Sequence, residues 1–275
     1  MSKGMALTIG LNSVDPGHYA GWSGPLMACE ADARDMASIA EAEGLSVITL
    51  LTPAARCDAV LMHLRQAAAS LSAGDLFVVS YSGHGGQLPD ENSDEFDDGQ
   101  DETWCLYDGQ LIDDQLYHAF GQFEPGVRIV VFSDSCHSGT VTKSERPGER
   151  AAPAESGDCG LRRMPLMVAF NTYHASRSRY DALLGNTKIR GSWQTIDASV
   201  LLFAACQDSQ TALDGTFNGL FTGNLLRTWN RGAFQGGYRA LYESIARKSP
   251  ADHMPNYFKT GQPLDGLDAM RPFKV

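Results

Sequence analysis

Several features that define common protein classes are missing from this 275-residue sequence. No apolar run approaches the roughly 18 residues of a membrane span, and the start has no basic-then-apolar leader pattern. The formal net charge of −11 disfavours nucleic acid as a partner. No Gly-rich phosphate loop of the Walker or dinucleotide-binding kind occurs. We therefore expect a soluble, cytoplasmic protein without a membrane or nucleic-acid partner.

Paired cysteines are missing as well. The six cysteines are scattered and form no CxxC pair: Cys29, Cys57, Cys105, Cys136, Cys159 and Cys206. Such spacing favours neither a zinc site nor a disulfide scaffold. We expect most of them to be reduced, which keeps a reactive thiol usable.

The apolar runs predict strands, and helical patterns separate them. Runs without polar alternation predict buried strands at 5–11, 46–51, 76–81, 127–132 and 200–205, with a possible last strand at 256–260. Helices are predicted at 27–43, 58–72, 113–120 (with Asp113 as N-cap), 221–230 and 238–248. This order predicts an α/β fold: one domain, residues 1–275, with a mostly parallel central sheet flanked by helices on both faces. The acidic segment 87–114 is predicted to be a loop and 139–165 a mobile linker.

Two strands end in small polar residues that carry reactive side chains. One continues into SGHG at 82–85 and the other into DSCHSG at 134–139, which puts His84 and Cys136 52 residues apart. Neighbouring parallel strands end on the same edge of a sheet, so the imidazole and the thiol can meet there. A thiol beside an imidazole is a nucleophile with its base. The amides of Gly85 and Cys136 are candidates for an oxyanion hole.

Each residue also has an ordinary structural interpretation. SGHG alone fits a tight turn around a structural histidine, and a lone buried cysteine is commonly a core residue. Their joint occurrence at matching strand ends favours a catalytic pair. His137 is a second candidate base, disfavoured because adjacent residues of an extended segment point to opposite faces.

With these motifs the sequence resembles the caspase-like cysteine peptidases, most closely the metacaspases and the bacterial orthocaspases. The segments PLMACEAD at 25–32, DETW at 101–104 and 201–210 also resemble that family, so the likeness covers about residues 5 to 230. It implies the caspase-hemoglobinase fold, a cysteine endopeptidase activity and no cofactor required for the chemistry. The animal caspase pattern QACRG is absent, which points away from cleavage after aspartate.

The resemblance implies an acidic pocket for the residue before the scissile bond. Asp32, Ser82 and Asp134 match that pocket, with Cys29 beside it. Carboxylates in a partly desolvated slot favour a guanidinium or an ammonium group. We therefore expect protein or peptide substrates cleaved after Arg or Lys. Ordinary roles, strand-end capping for Asp134 and an exposed helix acid for Asp32, remain open.

The acidic segment at 90–114 is a candidate for binding an activating Ca²⁺ ion. Residues 90–114 hold eleven Asp or Glu and no Lys or Arg, and Ca²⁺ takes 6–8 oxygen ligands. The resemblance assigns calcium contact to Asp101, Asp113 and Asp114. The family's further acidic ligand falls at Lys143, with Glu145 as the nearby substitute. A solvated acidic loop without a metal is the alternative.

The linker carries basic residues that the predicted pocket would accept. Candidate cleavage sites for maturation of a zymogen are Lys143, Arg146, Arg150, Arg162 and Arg163. The competing hypotheses are a catalytically silent scaffold of the same fold and an unrelated α/β enzyme with a structural cysteine. The intact Cys136 and His84 argue against the first, and the missing phosphate loop against the second. We expect a monomer.

Overall fold

A six-stranded sheet forms the centre of the protein. The computed structural model describes residues 2–89, 100–135, 161–186, 196–205, 213–251 and 253–275, without the side chains of residues 89, 100 and 101. In chain order the strands are β1 (Gly4–Gly10), β2 (Ser46–Leu51), β3 (Leu76–Ser82), β4 (Gly85–Pro89), β5 (Gln100–Leu106), β6 (Gly109–Ile112), β7 (Arg128–Asp134), β8 (Ser199–Ala204) and β9 (Asn256–Gly261). The main sheet has the order β2-β1-β3-β7-β8-β9, and only β9 pairs antiparallel within it.

Helices cover both faces of this sheet. They are α1 (Cys29–Ala42), α2 (Cys57–Ser70), α3 (Asp113–Phe120), α4 (Leu166–Ala175), α5 (Arg177–Leu184), α6 (Leu220–Trp229) and α7 (Tyr238–Ala246). Adjacent strand residues serve opposite cores: Phe77 packs with the cluster that includes α2 and α3, while Val78 packs with that of α1, α6 and α7. This alternation explains why the strands are apolar throughout. The predicted α/β fold is therefore confirmed.

The segment predicted to be an acidic loop is instead partly a sheet. β4, β5 and β6 form a separate antiparallel sheet, with Gly85 opposite Trp104 and Thr103 opposite Ile112. The sequence prediction was wrong here because the acidic residues at 90–98, which dominate the composition, lie between the strands and outside the described residues. Asp113 is the first residue of α3 rather than its N-cap.

The end of the predicted linker is also structured. Arg162 is completely buried, and the backbone of residues 161–164 pairs with two other segments. Helices α4 and α5 follow, and the sequence analysis did not predict them. Residues 139–160 of the linker lie outside the described residues. Of the helices that the structure describes, none is long and apolar enough to cross a membrane.

A glycine sets the distance between β1 and α1. A Cβ atom at Gly10 would overlap the carbonyl oxygen of Cys29 and lie 2.8 Å from the Cβ of Ala33. Both contacts are on α1, which also carries Asp32. The close approach of this strand and helix therefore requires glycine at position 10.

We predict that Gly10→Ala lowers the free energy of unfolding by about 1–3 kcal/mol, because overpacking forces α1 away from the sheet. Chemical denaturation measures the change. Gly223→Ala in α6 is the matched control, since its added Cβ would meet the flexible side chain of Arg227 at 3.2 Å and the Cβ of Asn218 at an ordinary contact distance of 3.7 Å. Equal stability of the Gly10→Ala variant and the native protein would contradict the assigned constraint.

Candidate active site

The ends of β3 and β7 bring the two predicted motifs to one edge of the sheet. The strands are parallel neighbours in a register that pairs Ser82 with Asp134. His84 follows Ser82 by two residues, and Cys136 follows Asp134 by the same number. Cys136 and the alternative base His137 lie outside the described residues. The described ends of β3 and β7, which precede His84 and Cys136 in the sequence, lie at the same edge of the sheet.

The environment of His84 fixes one tautomer of its ring. His84 Nε2 lies 3.0 Å from the carbonyl oxygen of Gly24. A carbonyl only accepts, so Nε2 carries the proton and Nδ1 holds a lone pair. Trp22 packs over the ring with centroids 4.7 Å apart. Nδ1 is buried and has no hydrogen-bond partner among the described residues.

Burial controls the charge of this histidine. His84 is 5% exposed, and desolvation lowers its pKa to about 4, against the opposing hydrogen bond to the Gly24 backbone. The imidazole is therefore neutral near pH 7 in the arrangement that the structure describes. A neutral ring with a free Nδ1 is able to accept a proton from a nearby thiol.

The three described cysteines are core residues. Cys29, Cys57 and Cys105 are buried and form no disulfide. Desolvation raises the pKa of the Cys29 and Cys57 thiols to about 12 and that of Cys105 further. A protonated, buried thiol is a poor nucleophile. The predicted pocket residue Cys29 therefore contributes to the pocket wall, where it lies close to Ser82.

A buried arginine from the linker occupies the predicted acidic pocket. The Nη2 atom of Arg162 lies 2.7 Å from Asp32 Oδ2 and 3.0 Å from Asp214 Oδ1. Its Nη1 atom lies 2.8 Å from Ser82 Oγ and 3.0 Å from Asp134 Oδ1. The guanidinium is 0% exposed and the three carboxylates are at most 7% exposed. The pocket thus surrounds one cation with three anions.

Helix α6 holds two of these carboxylates at its N-terminal end. The backbone N–H of Gly219, which precedes the helix, donates to Asp32 at 3.1 Å. The backbone N–H and the hydroxyl of Thr222 both donate to Asp134 Oδ2, at 3.0 and 2.7 Å. The positive end of a helix dipole stabilises negative charge. Gly219 and Thr222 therefore hold the carboxylates of Asp32 and Asp134 in place independently of Arg162.

Gly219 also forms the wall of the pocket. A Cβ atom at this position would lie 2.5 Å from Nη2 and 2.6 Å from Cζ of Arg162. The absence of a side chain at position 219 therefore leaves the space that the guanidinium fills.

The charges around Arg162 shift its pKa and that of Asp32. Burial alone would lower the pKa of Arg162, but the carboxylates of Asp134 and Asp32 outweigh it and raise that pKa well above the ordinary value. Burial raises the pKa of Asp32, and the guanidinium of Arg162 opposes the increase. Without a cation the pocket would hold several buried charges of the same sign, which is unfavourable.

The backbone around Arg162 is extended and paired on both sides. The Gly85 N–H donates to the Arg162 carbonyl oxygen at 3.0 Å, and the Met164 N–H donates to the Gly85 carbonyl oxygen at 2.8 Å. On the other side, Leu161 forms an antiparallel bridge with Leu213. The donor predicted for an oxyanion hole therefore contacts the carbonyl of the arginine in the pocket. The neighbouring Gly86 is also tightly packed, since a Cβ there would lie 2.7 Å from Gln110 Oε1.

The candidate calcium ligands are described only in part. The backbone of Asp101 lies in β5, but its side chain is not described, while Asp113 and Asp114 begin α3. Lys143 and Glu145 lie outside the described residues. No group of three His, Cys, Asp or Glu residues in the described part of the chain is arranged to hold a metal ion. The calcium site stays a prediction.

Sequence reasoning missed Asp214 and did not single out Arg162. Arg162 was one of five candidate cleavage sites. Its neighbour Arg163 is partly exposed. The other three candidates, Lys143, Arg146 and Arg150, lie outside the described residues. Asp214 follows β8, whose end lies at the same edge as the ends of β3 and β7. Its position after a central strand is the signal that could have indicated it.

A model of the caspase domain, peptidase family C14, matches residues 3–260. Metacaspase-4 of Arabidopsis thaliana is 34% identical over 179 residues, which is 58% of this chain and 41% of that protein. This chain spans between 39% and 60% of the length of the metacaspases compared.

Solved structures also resemble this fold. The crystal structure of protein GSU0716 from Geobacter sulfurreducens is similar with a TM-score of 0.88 and 50% identity, covering 99% of each chain. Caspase-1 of Spodoptera frugiperda is similar with a TM-score of 0.52 and 12% identity, over 94% of this chain and 86% of that one. The second likeness concerns the fold alone.

We predict that Arg162→Gln, made in a Cys136→Ala background to prevent cleavage, loosens the segment 161–164. Removing one partner of a buried ion pair costs about 3–5 kcal/mol. We expect amide hydrogen exchange at Met164 to accelerate by roughly tenfold or more, because that amide then opens locally. Arg163→Gln is the matched control and leaves the exchange unchanged. Equal protection in both variants would contradict the anchoring role of the guanidinium.

Proposed function

Because the chain belongs to the caspase domain family, we propose that it is a cysteine endopeptidase that cleaves peptide bonds after arginine, or lysine, with Cys136 as nucleophile and His84 as base. The observation that carries the proposal is the burial of Arg162 among the three carboxylates. A pocket that desolvates a basic side chain of its own chain suits the same side chain of a substrate. The pocket lies beside His84, so a basic side chain in it is close to the proposed catalytic base.

The reaction begins with proton transfer from the Cys136 thiol to Nδ1 of His84. The thiolate attacks the carbonyl carbon of the basic residue, and the negative charge that develops on the oxygen is stabilised by the Gly85 N–H. The imidazolium then protonates the amide nitrogen, so that the C–N bond breaks and the new amino terminus leaves. Water then attacks the thioester carbonyl and the C–S bond breaks. The product leaves with a new carboxyl group that contains the water oxygen, and a proton of the water restores the thiol.

Arg162 occupies the position of a substrate residue in this scheme. Its side chain is in the acidic pocket, and its carbonyl accepts from the N–H of Gly85, the residue that follows His84. We therefore propose that the protein is a zymogen whose linker is cut after Arg162. Until it is cut and released, this segment competes with external substrates.

The remaining expectations depend on this activity. The substrates are proteins or peptides with Arg or Lys before the scissile bond, and the chemistry requires no cofactor. Activation by Ca²⁺ through Asp101, Asp113 and Asp114, a monomeric state and a cytoplasmic location stay predictions.

We predict that the protein hydrolyses a small fluorogenic peptide ending in arginine. Cys136→Ala and His84→Ala lower kcat by about 10³-fold or more, since each removes a member of the reacting pair. A reporter ending in aspartate serves as the specificity control. A Cys136→Ala variant that retains the native rate would exclude the proposed nucleophile.

We predict self-processing between Arg162 and Arg163, giving fragments 1–162 and 163–275. Mass spectrometry of the incubated protein identifies the cut. Arg162→Gln abolishes this cut because the neutral side chain lacks the charge that the pocket pairs. Arg163→Gln, the control, is still cut after Arg162. Fragments in the Cys136→Ala protein incubated alone would show that another peptidase made them.

A further inference from the structure

Gly85 binds the chain on both sides of the bond that the proposed self-processing cuts. Its N–H donates to the carbonyl oxygen of Arg162 at 3.0 Å, and its carbonyl oxygen accepts from the N–H of Met164 at 2.8 Å. We infer that the site also joins this bond, as a peptide ligase: the new amino group of Arg163 stays in place and attacks the thioester in competition with water. The inference rests on the proposed function, because it uses the thioester formed on Cys136.

The leaving segment is anchored one residue after the proposed cut. Met164 is 2% exposed and packs in the core that includes α2 and α3. Helix α4 begins two residues later, with Pro165 as its N-cap. None of these contacts uses the side chain of Arg162, so they persist when the bond breaks. Because consecutive Cα atoms are about 3.8 Å apart, the new amino group of Arg163 stays within a few Å of the thioester.

Helix α5 fixes the leaving segment a second time. Tyr180 is completely buried, and its hydroxyl accepts from the N–H of Gln110 at 3.2 Å and lies 2.7 Å from His18 Nε2. Its ring belongs to a hydrophobic cluster with Leu88 of β4 and Ile112 of β6. These four partners all precede the cut in the sequence. Cutting the chain therefore does not by itself release α4 and α5.

The acyl side of the bond is held as firmly. The ion pairs of Arg162 and the N–H of Gly85 bind the residue whose carbonyl carbon is attached to Cys136. Holding both reactants in one site makes the attack intramolecular, which favours the resident amine over water. A free α-amino group has a pKa of about 8, so a large fraction of it is neutral and nucleophilic at about pH 8.

The joining step balances without a co-reactant. The neutral amino nitrogen of Arg163 attacks the thioester carbonyl carbon, so that the C–N bond forms and the C–S bond breaks. The nitrogen gives up one proton, which His84 Nδ1 accepts and passes to the sulfur of Cys136. The products are the uncut chain and the free thiol. The first half of the cut is therefore reversible until the leaving segment moves away or water attacks.

The test uses hydroxylamine, a small nucleophile that also attacks thioesters. The full chain is synthesised in a cell-free system at about pH 8, and gel electrophoresis follows the loss of uncut chain with and without hydroxylamine. If Arg163 rejoins most thioesters, hydroxylamine diverts them to a hydroxamate at Arg162, and we expect the uncut chain to disappear roughly fivefold or more faster. A rate that does not depend on hydroxylamine, with only the end group of fragment 1–162 changed, would overturn the inference.

Tyr180→Ala tests the anchor. Without the packing of α5 the leaving segment departs before it rejoins, so we expect hydroxylamine to accelerate the cut by less than about twofold. Arg177→Gln is the matched control on the same helix, because it removes only an exposed ion pair with Asp181, and it keeps the full acceleration. Full acceleration in Tyr180→Ala would overturn the anchoring that the inference requires. If this variant does not fold, the native chain decides alone.

Failure of the proposed function gives a different pattern. A Cys136→Ala chain stays uncut with and without hydroxylamine, which shows that the lysate does not make the cut. If the native chain also stays uncut at Arg162 in both conditions, this inference and the proposed self-processing are both overturned. Hydrolysis of the arginine reporter then shows whether the peptidase assignment stands. A cut after Arg162 at a rate independent of hydroxylamine overturns this inference alone.

Discussion

The pairing of one buried cation with three buried carboxylates is the constraint on which the site depends. Arg162 is completely enclosed, and Asp32, Asp134 and Asp214 come from α1, the end of β7 and the segment after β8. A buried charge is tolerated only with partners in good geometry. The pocket therefore forms only when these three distant parts of the chain are correctly packed. The charge of the pocket is therefore a product of the fold.

The close packing of α1 against β1 extends this constraint to the backbone. Gly10 allows α1 to approach the sheet, and α1 positions Asp32 for the Gly219 N–H at the start of α6. Because α6 also fixes Asp134 through Thr222, one helix end organises two of the three anions. The same edge of the sheet carries His84, whose neutral ring is held by Gly24 and Trp22. The acidic pocket and the proposed catalytic base thus share one rim.

The sequence predicted the central sheet well because its strands have a strong local signal. The runs at 46–51 and 76–81 are apolar on both faces, and the observed strands Ser46–Leu51 and Leu76–Ser82 agree within a residue. The antiparallel sheet of β4, β5 and β6 was missed because acidic residues beyond its strands dominate the local composition. Gly85 and Trp104 pair across that gap in the sequence, and such a pairing is not a local property.

The candidate site also shows that local sequence does not reveal contacts between distant parts of the chain. Asp32, Ser82 and Asp134 were assigned to the pocket through the family resemblance, whereas Asp214 has no such match. In the sequence only its position after β8 points to it, and its distance to Arg162 establishes the contact. Arg162 itself was indistinguishable from the other basic residues of the linker. Arg162 is the arginine that becomes buried because residues 161–164 pair with Gly85 and Leu213. Gly85 is at least 76 residues away in the sequence, and Leu213 at least 49. Tertiary contacts, rather than residue type, decide which arginine is buried.

The most direct test of the account is covalent labelling with a peptidyl electrophile that ends in arginine, followed by peptide mapping of all six cysteines. The account predicts modification of Cys136, with the buried Cys29, Cys57 and Cys105 unmodified, and little labelling by the analogue that ends in aspartate. It also predicts faster labelling in Arg162→Gln, where the resident guanidinium no longer competes. An unreactive Cys136, or equal labelling by both analogues, would contradict the claim that an anionic pocket presents basic residues to this thiol.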